Sequence, residues 1–262
     1  MNKLWVFGDS YSYTEMFNHE NVWVNQLTKK LNYQLKNLSM VGCSQDYICQ
    51  TLLDYSSKIK TDDQIVIVLT GPNRFWFFEE FPDVTHSHTY YMKEIVGTDR
   101  AKAAEMYFQF IQRPQLDILH TTLRLSWLNH MTATCGWKKP LVILGFRQEI
   151  GNCAYPDLIF SNGSLTENVS QLEQVSPAAD LFGGCDPRYN HMILKNHNVL
   201  ADKIYNTLIK NESLDLTEGF YKNVLTVDSL YDTDLIKNEL CPEAHNNFIK
   251  NKKSKLKWIS AR

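Results

Sequence analysis

The sequence has 262 residues, 44% of them hydrophobic and 21% charged, which is the composition of a globular protein with a sizeable core. Its formal net charge of -2 excludes a strong overall attraction to nucleic acid or to an anionic membrane. No apolar run approaches the roughly 20 residues that cross a bilayer, so no membrane span is predicted.

The N-terminal residues and the cysteines bear on location and on metals. The start of the chain lacks the apolar core and the cleavage site of a signal peptide. The six cysteines are scattered without a C-x-x-C pair, which predicts reduced thiols and a cytoplasmic location. His86 and His88 have no third ligand nearby in sequence, so we interpret them as loop residues and expect no metal or other cofactor.

The first 70 residues alternate between short apolar runs and amphipathic stretches. They predict strands at residues 4–7, 33–38 and 65–69, and helices at residues 21–31 and 46–58. The second helix is expected to direct Ile48, Leu52, Leu53 and Tyr55 inward. The run at 65–69, Ile-Val-Ile-Val-Leu, is typical of a strand that is buried on both faces. Strands that alternate with helices predict a parallel sheet with right-handed crossovers.

The rest of the chain is less regular. We predict one or two helices at 101–133 with a break at Pro114, a buried strand at 140–145, a loop at 147–184 and a helix at 192–208. We find no internal repeat. The organisation predicted is a single domain at 1–245, with insertions at about 75–135 and 147–185, followed by a basic tail at 246–262.

Four short blocks fall at or near the C-terminal edge of this predicted sheet. They are Gly8-Asp9-Ser10 after the first strand, Gly42 after the second, Gly71-Pro72-Asn73-Arg74 after the third, and His191 before the last long helix. Ligands of open α/β sheets collect at that edge. A serine becomes a nucleophile when a base takes its proton, and the oxyanion that forms needs preorganised donors.

In this order the blocks resemble those of the SGNH hydrolases, also called the GDSL esterase/lipase family. The serine, glycine, asparagine and histidine of that family map onto Ser10, Gly42, Asn73 and His191. The resemblance implies an α/β fold, a flavodoxin-like three-layer α/β/α sandwich with a central parallel sheet. It also implies hydrolysis of an ester through an acyl-enzyme.

The resemblance assigns a role to each block. Ser10 would attack the carbonyl carbon, and His191 would act first as general base and then as general acid. Asp186 would orient the imidazole of His191 and stabilise its charged form. The oxyanion hole would consist of the backbone N–H groups of Ser10 and Gly42 and the side-chain amide of Asn73.

Two positions depart from the family pattern. The third block usually reads Gly-x-Asn-Asp, and here Arg74 replaces the aspartate. The acid usually stands three residues before the histidine, where this chain has Arg188. Asp186 is the nearest candidate for the acid, with Asp180 as its substitute. His197, six residues after His191, keeps the spacing of a second family histidine, but we expect it to be a packing or helix-surface residue.

Several residues of the blocks have a structural alternative. Asp9 is expected to cap the turn, Gly42 has the alternative of a positive-φ loop residue, and Asn73 that of a turn residue. Arg74 is a candidate substrate contact, or else a partner in a structural ion pair. Phe75 and Trp76 directly follow the Asn73 block and are candidates for the border of the substrate site.

The leading functional hypothesis is therefore a serine esterase acting on a small acyl ester, with a carbohydrate O-acetyl group as one candidate. The displaced acid and the lost aspartate motivate an alternative, a catalytically weakened module that binds a glycan or a protein. Acyl transfer to an acceptor other than water is a third hypothesis. The start Trp-Val-Phe-Gly-Asp-Ser also resembles proteins found in bacteriophage as well as bacterial genomes, which adds a virion or the host cytoplasm to the predicted locations.

Overall fold

A computed structural model describes residues 1–14, 22–40, 42–74, 102–103, 106–168, 192 and 194–221. The strands in this part of the chain are β1 (Lys3–Phe7), β2 (Gln34–Asn37), β3 (Gln64–Leu69), β4 (Leu141–Leu144) and β5 (Ile159–Ser164). The α-helices are α1 (Trp23–Leu31), α2 (Gln45–Tyr55), α3 (Pro114–Cys135), α4 (Leu165–Asn168) and α5 (Leu194–Lys210). A 3-10 turn at Ser56–Lys58 follows α2, and a π-helical turn at Tyr107–Ile111 precedes α3.

The strands form one sheet in the order β2-β1-β3-β4-β5. β1 pairs in parallel with β2 and β3, and β3 pairs in parallel with β4. The predicted fold class is confirmed, because the structure has a central parallel sheet flanked by helices. This strand order is that of doubly wound folds, in which the order of strand addition reverses between β1 and β3, and ligands bind outside the carboxyl ends of these two strands.

The core explains why these segments are strands. All six residues of β3 are buried, as the β-branched run predicts for a strand covered on both faces. On one face, alternate residues of β1 and β3, which include Trp5, Phe7 and Ile67, belong to the same hydrophobic cluster as Ile48 of α2 and Leu125 of α3. The sheet edge that carries the predicted site is therefore built on a rigid, well-packed layer.

Three expectations from the sequence are resolved by these elements. Pro114 does mark a break, since it occupies the first turn of α3, where its missing N–H costs no helical hydrogen bond. The inward direction predicted for Leu53 is wrong, because its side chain is 47% exposed. The loop predicted at 147–184 is wrong in part, since β5 and α4 lie within it.

The chain divides into two compact units, one of residues 1–13 and 33–161 and the other of residues 14–32 and 162–262. In the second unit α1 packs against α5. Val22, the N-cap of α1, supplies no side-chain cap, and the ring Nδ1 of His197 accepts the Trp23 N–H at 3.3 Å. The half-buried His197 thus caps the first turn of α1. The single-domain organisation stays a prediction.

The described helices do not include one that combines the length and the apolar character needed to cross a membrane. The predicted tail at 246–262 lies outside the described residues.

Asp63 forms hydrogen bonds at the N-terminal edge of the sheet, which is opposite the edge that carries the predicted site. Its buried carboxylate accepts hydrogen bonds from the Lys3 N–H at 2.8 Å, the Trp5 indole N–H at 2.9 Å and the Lys60 N–H at 3.1 Å. Burial by itself would raise the pKa of Asp63, but these hydrogen bonds outweigh it and lower the pKa below its ordinary value.

We expect Asp63→Asn to lower the free energy of unfolding at pH 7 by about 1–3 kcal/mol, because an amide NH2 would face at least one of the three donors and the negative charge would be lost. Since the pKa is lowered on folding, the carboxylate stabilises the fold above its unfolded pKa of about 3.9 and loses this effect as the pH falls through the folded pKa. Urea denaturation of both proteins at pH 7 and pH 3.5 measures the difference. If the difference in unfolding free energy between the two proteins is as large at pH 3.5 as at pH 7, the stabilising role of the Asp63 carboxylate is contradicted.

Candidate active site

The loops after β1, β2 and β3 meet at the carboxyl edge of the sheet. β1 and β3 are adjacent parallel strands, and the order of strand addition reverses between them, which is the point of the sheet where folds of this class bind ligands. Ser10 follows β1 and Asn73 follows β3, so both predicted site residues lie beyond the carboxyl ends of these adjacent strands.

Gly8 brings the first and second loops together. A Cβ at this position would lie 2.6 Å from Ser12 Oγ and 2.8 Å from Val68 Cβ, which is closer than real side chains approach. The Gly8 carbonyl accepts the Met40 N–H at 2.9 Å and the Cys43 thiol at 3.2 Å. A glycine is required here because two strands and two loops converge on its backbone.

The Asp9 carboxylate is fully buried and holds the turn that presents Ser10. Its Oδ1 accepts the Tyr11 N–H at 3.1 Å, which confirms the predicted capping role. Its Oδ2 accepts the Thr70 hydroxyl at 3.0 Å and forms an ion pair with Arg74 Nη1 at 3.1 Å. The turn after β1 is thereby connected to the loop after β3.

Arg74 is buried, with 7% of its side chain exposed. Besides Asp9, its Nη1 lies 3.4 Å from the Cys43 carbonyl oxygen, and its guanidinium stacks 4.7 Å from the centre of the Phe146 ring. The structure thus places Arg74 in a buried ion pair, which was one of its two predicted roles. A contact between Arg74 and substrate stays a prediction.

The two serines of the first block differ in environment. The Ser12 side chain is fully buried, and its hydroxyl lies 2.8 Å from Ser39 Oγ and 3.2 Å from the Asp9 carbonyl oxygen. Ser10 is half-buried at the same turn. Of the two serines, Ser10 is therefore the more accessible to solvent, and its role as nucleophile stays a prediction.

The second and third blocks provide the other predicted donors. Gly42 has a φ of 72°, a left-handed conformation that glycine adopts without strain, as the structural alternative for this residue requires. The Asn73 side chain folds over Gly71, since a Cβ on Gly71 would lie 2.9 Å from Asn73 Oδ1. The roles of Gly42 and Asn73 in an oxyanion hole stay predictions.

Cys43 is a second potential nucleophile at this edge of the sheet. Burial raises the pKa of its thiol far above the usual range, and the negative charge of Asp9 raises it further. The neutral thiol is instead the hydrogen-bond donor to Gly8 described above, so we assign it a structural role.

Sequence reasoning missed the polar residues that support the third loop. The side-chain amide of Gln45, at the start of α2, donates to the Thr70 carbonyl oxygen at 2.9 Å and to Gln148 Oε1 at 2.9 Å. Gln45 is 1% exposed, which is unusual for a glutamine. Its position directly after Ser44, the N-cap of α2, gave no signal of this contact because the pattern around it indicates an ordinary helix start.

The remaining predicted site residues lie outside the described part of the chain. They are the catalytic candidates His191 and Asp186, the substitute acid Asp180, the candidate substrate residues Phe75 and Trp76, and the loop histidines His86 and His88.

No family model and no curated protein matches the sequence. Among solved structures, TesA shows 15% identity over 80% of this chain and 99% of its own, with a TM-score of 0.47. LAE5, an α/β hydrolase enzyme from the metagenome of Lake Arreo, Spain, shows 13% identity over 83% and 97%, with a TM-score of 0.43. The psychrotrophic esterase EstA from Pseudoalteromonas sp. shows 11% identity over 99% and 100%, with a TM-score of 0.34.

Proposed function

We propose that this protein is a serine esterase that hydrolyses a small acyl ester, with Ser10 as its nucleophile. The observation that carries the proposal is the connection of three loops at the carboxyl edge of a doubly wound sheet. Ser10, Gly42 and Asn73 lie on these three loops, and each is next in sequence to a residue that makes the connection. This edge of the sheet is where ligands bind in folds of this class.

The chemistry follows from the residue types. The Ser10 Oγ would form a bond to the ester carbonyl carbon as His191 takes the hydroxyl proton. The carbonyl oxygen would gain the negative charge and accept hydrogen bonds from the N–H groups of Ser10 and Gly42 and from the Asn73 amide. Loss of the alcohol, protonated by His191, leaves an acyl-enzyme that water hydrolyses by the same steps. Asp186 would orient His191 throughout.

The substrate class is a small ester, and acetylated sugars are one candidate. Aromatic residues near the site, Tyr11 and Phe146, form an edge-to-face pair with ring centres 6.0 Å apart. Their relation to a bound substrate stays a proposal, as do the substrate contacts of Arg74, Phe75 and Trp76.

The proposal is tested with a panel of p-nitrophenyl esters of increasing chain length and of acetylated sugars, together with an alkyl fluorophosphonate. We expect turnover of the short esters, and we expect the phosphonate to form one adduct, on the peptide that contains Ser10, with loss of fluoride and of activity. Digestion and mass spectrometry distinguish an adduct on Ser10 from one on Ser12. The absence of both turnover and an adduct at Ser10 would contradict the proposed esterase activity.

The alternative is a module that binds a glycan or a protein without turnover. It is favoured by Arg188, which stands at the usual position of the acid, and by Arg74 in place of the aspartate. Isothermal calorimetry with the same sugars separates the two, since a binding module gives heat without product. A product that forms only when a second alcohol is added would indicate acyl transfer.

A further inference from the structure

Arg74 occupies the position where the SGNH hydrolases, which this sequence resembles, usually have an aspartate. The contacts of Arg74 in the structure indicate a role for the arginine. We propose that Arg74 is a positioning residue that fixes the three predicted oxyanion donors relative to one another. The inference rests on the proposed esterase site at Ser10, and it goes beyond that site by assigning a function to a residue that the family pattern does not contain.

The Arg74 guanidinium contacts residues that are adjacent in sequence to the predicted oxyanion donors. Arg74 Nη1 lies 3.1 Å from Asp9 Oδ2 and 3.4 Å from the Cys43 carbonyl oxygen. Asp9 precedes Ser10, Cys43 follows Gly42, and Arg74 follows Asn73. Arg74 Nη1 therefore contacts the residue before Ser10 and the residue after Gly42. Arg74 is itself the residue after Asn73, so a single side chain links the neighbours of all three predicted donors.

Arg74 itself is also held in place. Its guanidinium lies against the ring of Phe146, which comes from the segment after β4, and the ring of Phe146 also contacts Tyr11. Its backbone N–H donates to the Gly71 carbonyl oxygen at 3.3 Å, which closes the turn that carries Asn73. A planar cation stacked on an aromatic ring has little rotational freedom, so it transmits the position of one loop to the others.

The energetics argue against a purely stabilising role. Removing two charges from water costs several kcal/mol per ion, and a buried pair recovers this when its remaining hydrogen-bonding groups are satisfied. The Nε of Arg74 is buried and has no hydrogen-bond partner among the described residues. A buried ion pair with such an unsatisfied nitrogen is weak evidence for a stabilising role, so we explain the pair by the geometry that it imposes on the loops.

The test compares Arg74→Lys with the wild type. Lysine keeps the charge for Asp9 but loses the planar fork and the stacking. We expect kcat for p-nitrophenyl acetate to fall by about 10- to 100-fold, because small misplacements of catalytic groups have effects of this size. KM should change by less than about twofold, since uniform binding is kept. Amide exchange should also accelerate together in the peptides that cover residues 8–13, 39–45 and 70–74.

Asp63→Asn is the matched control, because it removes a buried carboxylate at the opposite edge of the same sheet. It should reduce stability and leave kcat and exchange in the three loops unchanged. A rise of KM without a change of kcat in Arg74→Lys would identify a substrate contact and overturn the proposal. Wild-type kcat, or acceleration confined to residues 70–74, would overturn it as well.

A second variant replaces Arg74→Lys if that variant does not fold. The double variant Asp9→Asn/Arg74→Gln removes both charges and is expected to fold with the same loss of kcat. If the wild type turns over none of the esters, hydrogen exchange in the three loops decides the positioning role by itself. If Ser10→Ala is inactive and Arg74→Lys is fully active, the positioning role of Arg74 is contradicted and the esterase proposal stands. If Ser10→Ala is fully active, the esterase proposal itself is contradicted.

Discussion

Ser10→Ala is expected to lower kcat/KM for p-nitrophenyl acetate by about 1000-fold or more, toward the rate that the oxyanion donors and binding support alone. The variant lacks the oxygen that forms the acyl-enzyme, so the reaction loses its covalent route. The fold should be unaffected, because the turn is held by Asp9 and Ser12 rather than by the Ser10 hydroxyl alone. Initial rates of both proteins at equal concentration measure the effect.

Ser12→Ala is the matched control, since it removes a hydroxyl two residues away on the same turn. The Ser12 hydroxyl is buried against Ser39. Its loss leaves a buried polar partner unsatisfied, which costs about 1–3 kcal/mol of stability, and kcat should stay within about tenfold of the wild type because Ser12 is not the nucleophile. Equal rates for Ser10→Ala and the wild type would contradict the assignment of the nucleophile.

The sheet was predictable from the sequence because its evidence is local. The β-branched run of β3 and the glycine that ends β1 indicate buried strands without knowledge of any partner. β5 was missed because its exposure pattern is irregular and it contains Gly163 with a φ of 81°, so neither a continuous apolar run nor strict alternation marks it. Leu53 was misplaced because Ile48 and Leu52, four residues apart, define the buried stripe and Leu53 lies about 100° beyond it.

The site was predictable in part, for a similar reason. The capping of the turn by Asp9 is a short-range contact and was anticipated. The pair of Asp9 with Arg74 joins residues 65 positions apart, and it follows from the adjacency of β1 and β3 rather than from any spacing. Burial likewise raises the pKa of the Cys43 thiol, and the scattered positions of the cysteines in the sequence do not reveal this burial.

Asn73→Ala is expected to lower kcat for short esters by about 100- to 1000-fold, which is typical of the loss of one oxyanion donor. KM should change little, because the donor acts on charge that develops in the transition state rather than on the ground-state carbonyl. Asn73→Asp should lower kcat at least as much, since a carboxylate would face the developing negative charge. Steady-state kinetics with p-nitrophenyl acetate and butyrate measure both variants.

Gly71→Ala tests the same donor without removing it. The new Cβ would lie 2.9 Å from Asn73 Oδ1, so the amide must shift while its chemistry stays intact. We expect a fall of kcat by about tenfold, smaller than that of Asn73→Ala, because a displaced donor keeps part of its effect. Full activity of Asn73→Ala would contradict the proposed role of Asn73 as an oxyanion donor. Loss of activity in Gly71→Ala but not in Asn73→Ala would show that the shape of the turn, rather than the amide, is what the reaction requires.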